Sequence, residues 1–304
     1  MHEKINYKGW SNCIRLYNNE IELIVTTDIG PRIVKFGFID KQNFLYMVSE
    51  HCGKTDGDEW LIYGGHRLWL APEAIPFSYS PDNNTVDYLV NDYSIKLTQQ
   101  KDTISGIVKE MEIALSPDKN EVKVLHRVIN KNTSDVELSV WPITMLATGG
   151  RAIIPQEPYG EGNDYLLPAR SLALWSYTKM NDSRWVWGEK YIQAKQDPKF
   201  VSGQKIGVSN KRGWVAYYLN EEVLIKKFDF KTGVIYPDYH CNNEVYIAEN
   251  YLEIETLGPL TTLAPNEQVE HTEHWLLAKT KADESEQSIT DNILPLVDSF
   301  KIYS

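Results

Sequence analysis

The chain has 304 residues, 42% hydrophobic and 24% charged, a globular composition long enough to bury one large core or two modest ones, so disorder is not the default. Its net charge of -11 comes without any clustering of Lys or Arg, which argues against a nucleic-acid partner and fits a neutral small molecule better. Cys13, Cys52 and Cys241 form neither a CxxC nor a zinc spacing and are odd in number, so they read as reduced thiols. Met1 to Asn6 lacks a signal-peptide core and no apolar run approaches bilayer length, so a soluble cytoplasmic protein is expected.

From Cys13 to Phe38, short apolar alternations are broken by Asn18-Asn19 and Gly30-Pro31, the pattern of β-hairpins. The same rhythm returns over Val86 to Gln100, Ile107 to Leu115 and Val122 to Asn130. In the last of these, Val122, Val124, His126 and Val128 point one way, with Lys123, Leu125, Arg127 and Ile129 the other. It continues through Val136 to Leu146, Leu172 to Tyr177, Trp214 to Leu219, Val223 to Phe230, Val245 to Glu255 and Glu270 to Leu277. Helical spacing is clear only at the end, where Ile289, Ile293, Leu296, Val297 and Phe300 recur about a turn apart around Pro295, predicting a short helix on the outside. No linker divides the strands, and a single all-β domain spanning 1–304, a sandwich or barrel, is the simplest organisation.

Four segments gather chemistry. Tyr63 to Glu73 (YGGHRLWLAPE) places His66, Arg67, Trp69 and Glu73 beside paired glycines, a mixture of donors, stacking plane and carboxylate that suits a polyhydroxylated ligand. A plain Gly-Gly turn with Arg67 paired to Glu73 is the alternative. Ile235 to Glu244 has a loop composition in which Asp238 and Asn242 accompany His240. If Tyr251 to Glu255 is a strand, Tyr251, Glu253 and Glu255 share a face, and on a partly buried surface repulsion raises the pKa of one carboxyl. A solvated outer face is the other possibility. Val140 to Arg151 offers Trp141 and Thr144 to a cavity, with Arg151 beyond a glycine turn; an ordinary core strand is equally consistent. Arg67 and Arg151 are the side chains available to hold a phosphate or carboxylate. His271 and His274, three apart on a strand, point to opposite faces, so no designed metal site is expected there, and no nucleotide-binding or hydrolase motif appears.

The order of these segments resembles the galactose mutarotase (aldose 1-epimerase) superfamily. Leu16 to Val25 with Asp28 to Val34 resembles its first hairpin, Val122 to Asn130 with Val136 to Trp141 its mid-chain strands, and Leu263 to Gln268 with His274-Trp275 its last turn and strand. The resemblance covers nearly the whole chain and implies a β-supersandwich with a short C-terminal helix. It implies Glu255 as the base at the anomeric hydroxyl, His66 as a substrate-binding histidine and Asp238 as a holder of sugar hydroxyls. Arg67, Trp69, Arg151 and Glu253 complete the expected binding set. Where the family carries its mid-chain catalytic His, this chain has Trp141-Pro142-Ile143-Thr144, which leaves His240 or His66 to supply the acid. The expected activity is epimerase-like isomerisation of a free sugar or derivative. The alternatives are a non-catalytic carbohydrate-binding or sensing protein and a sugar lyase or hydrolase. The expected partner is a small-molecule carbohydrate, with no cofactor, metal, nucleic acid or membrane, in a monomer or homodimer.

Overall fold

A computed structural model describes residues 1–158, 160 and 166–301. Alternating apolar residues become strands because each strand can bury one face. Glu121–Asn130 buries Val122, Val124, His126 and Val128 and leaves Lys123, Leu125, Arg127 and Ile129 exposed or half-buried. Among the described residues the strands make two antiparallel sheets.

The first sheet runs, in spatial order, His2–Tyr7, Trp10–Tyr17, Ile21–Thr26, Arg32–Phe38, His66–Ala71, Val136–Leu146, Leu252–Thr256, Asn243–Ile247, Gln204–Val208 and Leu172–Leu174. Thr261–Leu263 also pairs with Val136–Leu146. The second runs Trp185–Trp187, Tyr191–Lys195, Arg151–Pro155, Trp214–Leu219, Glu222–Phe228, Gln268–Lys279, Glu121–Asn130, Ile107–Leu115, Ser94–Thr98 and Asp87–Asn91. Between them lies one large apolar cluster. Leu16, Leu23, Phe36, Leu68, Val140 and Ile254 come from the first sheet, and Met111, Val124, Tyr217, Leu224 and Trp275 from the second.

The helical tail forms as two pieces, Glu286–Asn292 and Leu294–Ser299. The Ser285 side chain accepts from the Ser288 N–H at the first N-terminus, and Pro295, which has no N–H, sits in the first turn of the second piece and sets the break. Ile289, Ile293, Val297 and Phe300 cover Ile153, Trp214, Val223 and Ile225 on the outer face of the second sheet. No helix among the described residues is long and apolar enough to cross a membrane.

Candidate functional site

Strand alternation in the middle of the first sheet sorts side chains into two sets. Leu68, Leu70, Val140, Leu252 and Ile254 face the second sheet, so their neighbours Arg67, Trp69, Trp141, Ile143, Glu253 and Glu255 face away from it. Register gathers this second set. Trp69 lies opposite Trp141 and Arg67 opposite Ile143. Ile143 lies opposite Glu255, Glu255 opposite Glu244 and Glu253 opposite Tyr246, and Tyr246 opposite Lys205. The result is a cleft of about 280 Å³ whose remaining walls include Trp60, Tyr79, Tyr177 and Tyr251, with Glu73 at the rim.

Seven of its fourteen lining side chains are aromatic. Trp69 meets Trp60, Tyr79 and Trp141 edge-on at centroid separations of 5.4, 5.2 and 5.5 Å, the arrangement favoured by ring quadrupoles. The charged groups are interlocked. Arg67 Nη1 donates to Glu253 Oε1 at 2.9 Å, and the guanidinium lies over Trp69. Glu255, 1% exposed, accepts at Oε2 from Trp141 Nε1 at 2.8 Å and from Lys205 Nζ at 2.9 Å. The same ammonium lies 2.7 Å from Glu244 Oε2 and sits over the rings of Trp141 and Trp175. Tyr79 donates its hydroxyl to Glu73.

Electrostatics follow from this packing. Burial pulls Lys205 downward, but Glu255 and Glu244 more than reverse it and hold the lysine protonated, above its ordinary value. Burial pushes Glu244 well above the usual carboxylate range, and Glu255 and Asp238 add to the push against the pull of Lys205. Glu253 is also raised, first by burial, with Arg67 opposing and Glu255 contributing. The expected conflict between carboxyls 253 and 255 on one face is therefore present. Burial and then Glu73 raise the Tyr79 hydroxyl to about 12.

The sequence-derived set divides. Glu253, Glu255, Arg67 and Trp69 line the cleft, and Arg67 pairs with Glu253 rather than with Glu73. Asp238 is half-buried and is not among the cleft-lining side chains; burial raises its carboxyl, with Lys205 opposing the rise and Glu255 and Glu73 adding to it. Its turn is left-handed at Asp238 (φ 49°), Tyr239 (φ 61°) and His240 (φ 70°), a conformation that costs non-glycine residues about 1–2 kcal/mol each. His240 ends this turn exposed and is not among the cleft-lining side chains. Arg151 lies on the second sheet, where it donates to the carbonyls of Ala282 and Asp283 and stacks on Tyr218, fastening the segment that leads into the tail helices. His66 is 0% exposed, because alternation from Arg67 sends it between the sheets. The glycine pair serves the backbone: a Cβ on Gly64 would come within 2.3 Å of the Tyr46 carbonyl and one on Gly65 within 2.2 Å of that of Ile33. Lys205, which lines the cleft, and Glu244, which is buried against it, were not singled out from sequence.

Beneath the cleft, His66 is part of a polar layer inside the core. Its Nδ1 meets Thr144 Oγ1 at 2.9 Å and its Nε2 meets His126 Nε2 at 2.7 Å. Lys226 Nζ donates to Thr144 and pairs with Glu273 at 2.8 Å, and Glu273 also accepts from Thr256 and Trp275. Burial holds His126 and His271 neutral, down to about 4, and drives His66 well below its ordinary value. For Glu273 burial pushes upward, but the paired Lys226 ammonium outweighs it and keeps the carboxylate ionised. Donor atoms of His66, His126 and Glu273 lie within 4.8 Å of one another, yet Lys226 already supplies the positive charge that a cation would bring.

No family model and no curated protein sequence matches the chain. Solved structures do. A galactose mutarotase-like protein from Lactobacillus casei superposes with a TM-score of 0.60 at 8% identity, over 88% of this chain and 100% of that one. The protein has the galactose mutarotase fold. Galactose 1-epimerase from Lactobacillus acidophilus gives a TM-score of 0.52 at 12% identity, covering 92% of this chain and 99% of that one. A TPR-domain-containing protein from Parabacteroides distasonis gives 0.63 at 14% identity, over 96% of this chain and 49% of that one. At these identities the mutarotase fold is shared as architecture, with chemistry that depends on each chain's own side chains.

Proposed function

We propose that the cleft binds a saccharide and isomerises it at the anomeric carbon, with Glu255 as the proton acceptor. The observation that carries this reading is a buried carboxylate held by Trp141 and Lys205 on the floor of an aromatic-walled cleft in a mutarotase fold. Aromatic faces stack on the apolar faces of a pyranose while the polar edges hold its hydroxyls. Both contacts to Glu255 fall on Oε2, so Oε1 is the atom to receive the proton of the anomeric hydroxyl. As that proton leaves, the bond between C1 and the ring oxygen breaks, and the ring oxygen needs a proton in turn.

His66 is sealed in the core and His240 points to solvent, so we assign the donor to Asp238. Burial raises this carboxyl, which favours its protonated form. A carboxyl kept protonated by its surroundings can act as a general acid opposite a carboxylate base. Rotation about the bond between C1 and C2 followed by the reverse steps returns both protons and gives the other anomer. The strained left-handed turn at Asp238 to His240 is the kind of stored cost that a site maintains for function.

NMR exchange at the anomeric carbon across a panel of aldoses tests the reading. Acceleration over buffer that is lost in Glu255→Gln is expected, and a rate equal to buffer for every sugar refutes the isomerase. A binding protein without turnover is the second reading, favoured by the lack of a histidine among the cleft-lining side chains; saturable binding with no exchange would establish it.

A further inference from the structure

The cleft is closed at one end and open at the other. Register sets Glu255 opposite Ile143, and Trp141 and Trp69 stand two residues further along their strands. There the rings of Trp60, Trp69, Tyr79 and Trp141 pack edge-on at centroid separations of 5.2 to 5.5 Å, and Trp69 and Trp141 are only 6% and 2% exposed. In the opposite direction the alternation carries the lining from Glu255 to Glu253 and on to Tyr251, just ahead of the strand. At the rise of a strand this run is about 13 Å, longer than one pyranose ring.

At the open end the aromatic surface continues past the cleft. Tyr251 stacks on Tyr46, with centroids 5.5 Å apart and planes inclined by 29°, and its centroid lies 6.2 Å from that of Tyr246. Tyr46 is not among the cleft-lining side chains. It is held at this end by its backbone, which donates to the Met145 carbonyl and accepts from the Gly65 N–H. All three tyrosines are half-buried, and among the described residues no protein group hydrogen-bonds their hydroxyls. Partly open rings with free hydroxyls offer a sugar both a stacking face and a polar edge.

We propose that the substrate is an oligosaccharide, its reducing-end unit seated at Glu255 against the closed wall and the following units leaving over Tyr246, Tyr251 and Tyr46. This rests on the saccharide reading above and names its substrate class. The chemistry sets the polarity. Isomerisation at the anomeric carbon needs a free anomeric hydroxyl at Glu255, and only the reducing end of a chain carries one. The packed rings beyond Glu255 leave the remainder of the chain a single way out.

Isothermal titration with glucose, galactose, mannose and xylose, and with α- and β-linked disaccharides and trisaccharides of each, tests the proposal. We expect at least one disaccharide to bind about tenfold or more tighter than the monosaccharide at its reducing end. Borohydride reduction of that disaccharide to its alditol should abolish the gain. Tyr46→Leu keeps apolar bulk against Tyr251 but removes the ring. It should bring the disaccharide to within about threefold of the monosaccharide, while monosaccharide affinity changes by less than about twofold. Monosaccharides that bind as tightly as every chain built from them overturn the proposal and leave the saccharide reading intact. An alditol that binds as tightly as its disaccharide overturns it as well, because the reducing end then lies away from Glu255. Failure of sugars of every length to bind removes the saccharide reading with it.

Discussion

Replacing Lys205 by Met removes the one positive charge between two buried carboxylates. Its Nζ lies 2.9 Å from Glu255 and 2.7 Å from Glu244, and at an effective dielectric near 20 each contact is worth about 6 kcal/mol before dehydration. Taking the ammonium out of water cancels several kcal/mol of this, and breaking a buried pair by removing one partner typically costs about 3–5 kcal/mol. We expect a loss of about 4 kcal/mol at pH 7.5, read from urea unfolding. The stranded carboxyls then have folded-state pKa values above their unfolded ones, so the folded variant binds more protons than the unfolded chain and becomes more stable as the pH falls. The deficit should shrink to about 2 kcal/mol by pH 5.5. Adding Glu244→Gln to Lys205→Met should restore about 1 kcal/mol or more, because it removes one of the two unpaired charges. A loss below about 1 kcal/mol, or the same loss at both pH values, would refute the account of the cleft as a lysine-centred charge cluster.

Other substitutions separate chemistry from packing. Glu255→Gln should slow anomeric exchange by about a hundredfold or more while calorimetry still detects binding. Trp69→Ala opens one wall of the cleft and should weaken saccharide affinity about tenfold, with the far-ultraviolet circular dichroism spectrum unchanged. His66→Leu removes one buried hydrogen-bond partner from Thr144, which keeps Lys226, and one from His126, which keeps the His271 carbonyl, so we expect a loss of about 2–3 kcal/mol by urea unfolding, with affinity changed by less than about twofold. A collapse of binding in His66→Leu without loss of stability would return that histidine to the ligand site.

The strand pattern was legible because each half-buried strand writes its inner face into every second residue, as Val122 to Val128 shows, and the helical tail was legible from Ile289 to Phe300 for the same kind of reason. Applied to the segment after the glycines, that period already separates His66 from Arg67: adjacent residues of one strand cannot share a cleft. Gathering both into one site followed the density of polar groups instead of the alternation. The glycines looked like a backbone opened to a ligand, but the close approach is to the Tyr46 and Ile33 carbonyls, which lie far away in sequence. Lys205 gave no signal, since a single lysine in Gln204–Val208 reads as an exposed residue until pairing with Asn243–Ile247 brings it beside Glu244 and Glu255. The hairpin within 243–256 turns at Glu249-Asn250, a polar pair passed over when Val245 to Glu255 was taken as one segment. His240 illustrates a different limit, because only the left-handed backbone reveals that Asp238 is directed inward while the histidine is directed outward.

The two-sidedness of the cleft floor also bears on how such a protein can change. In His66–Ala71, Val136–Leu146 and Leu252–Thr256 the residues that pack the core and those that line the cleft interleave one by one along the same strands, and they are separated by the thickness of a backbone. The buried layer of His66, Thr144 and Thr256, tied to Lys226 and Glu273, penalises any slip of register, since a shift by one residue would turn these polar groups outward and drive the cleft charges into the core. Anchored in this way, the register holds while the cleft lining varies, singly at the uncharged wall positions and in matched sets at the charged ones, because Arg67 is tied to Glu253 and Lys205 to Glu255 and Glu244.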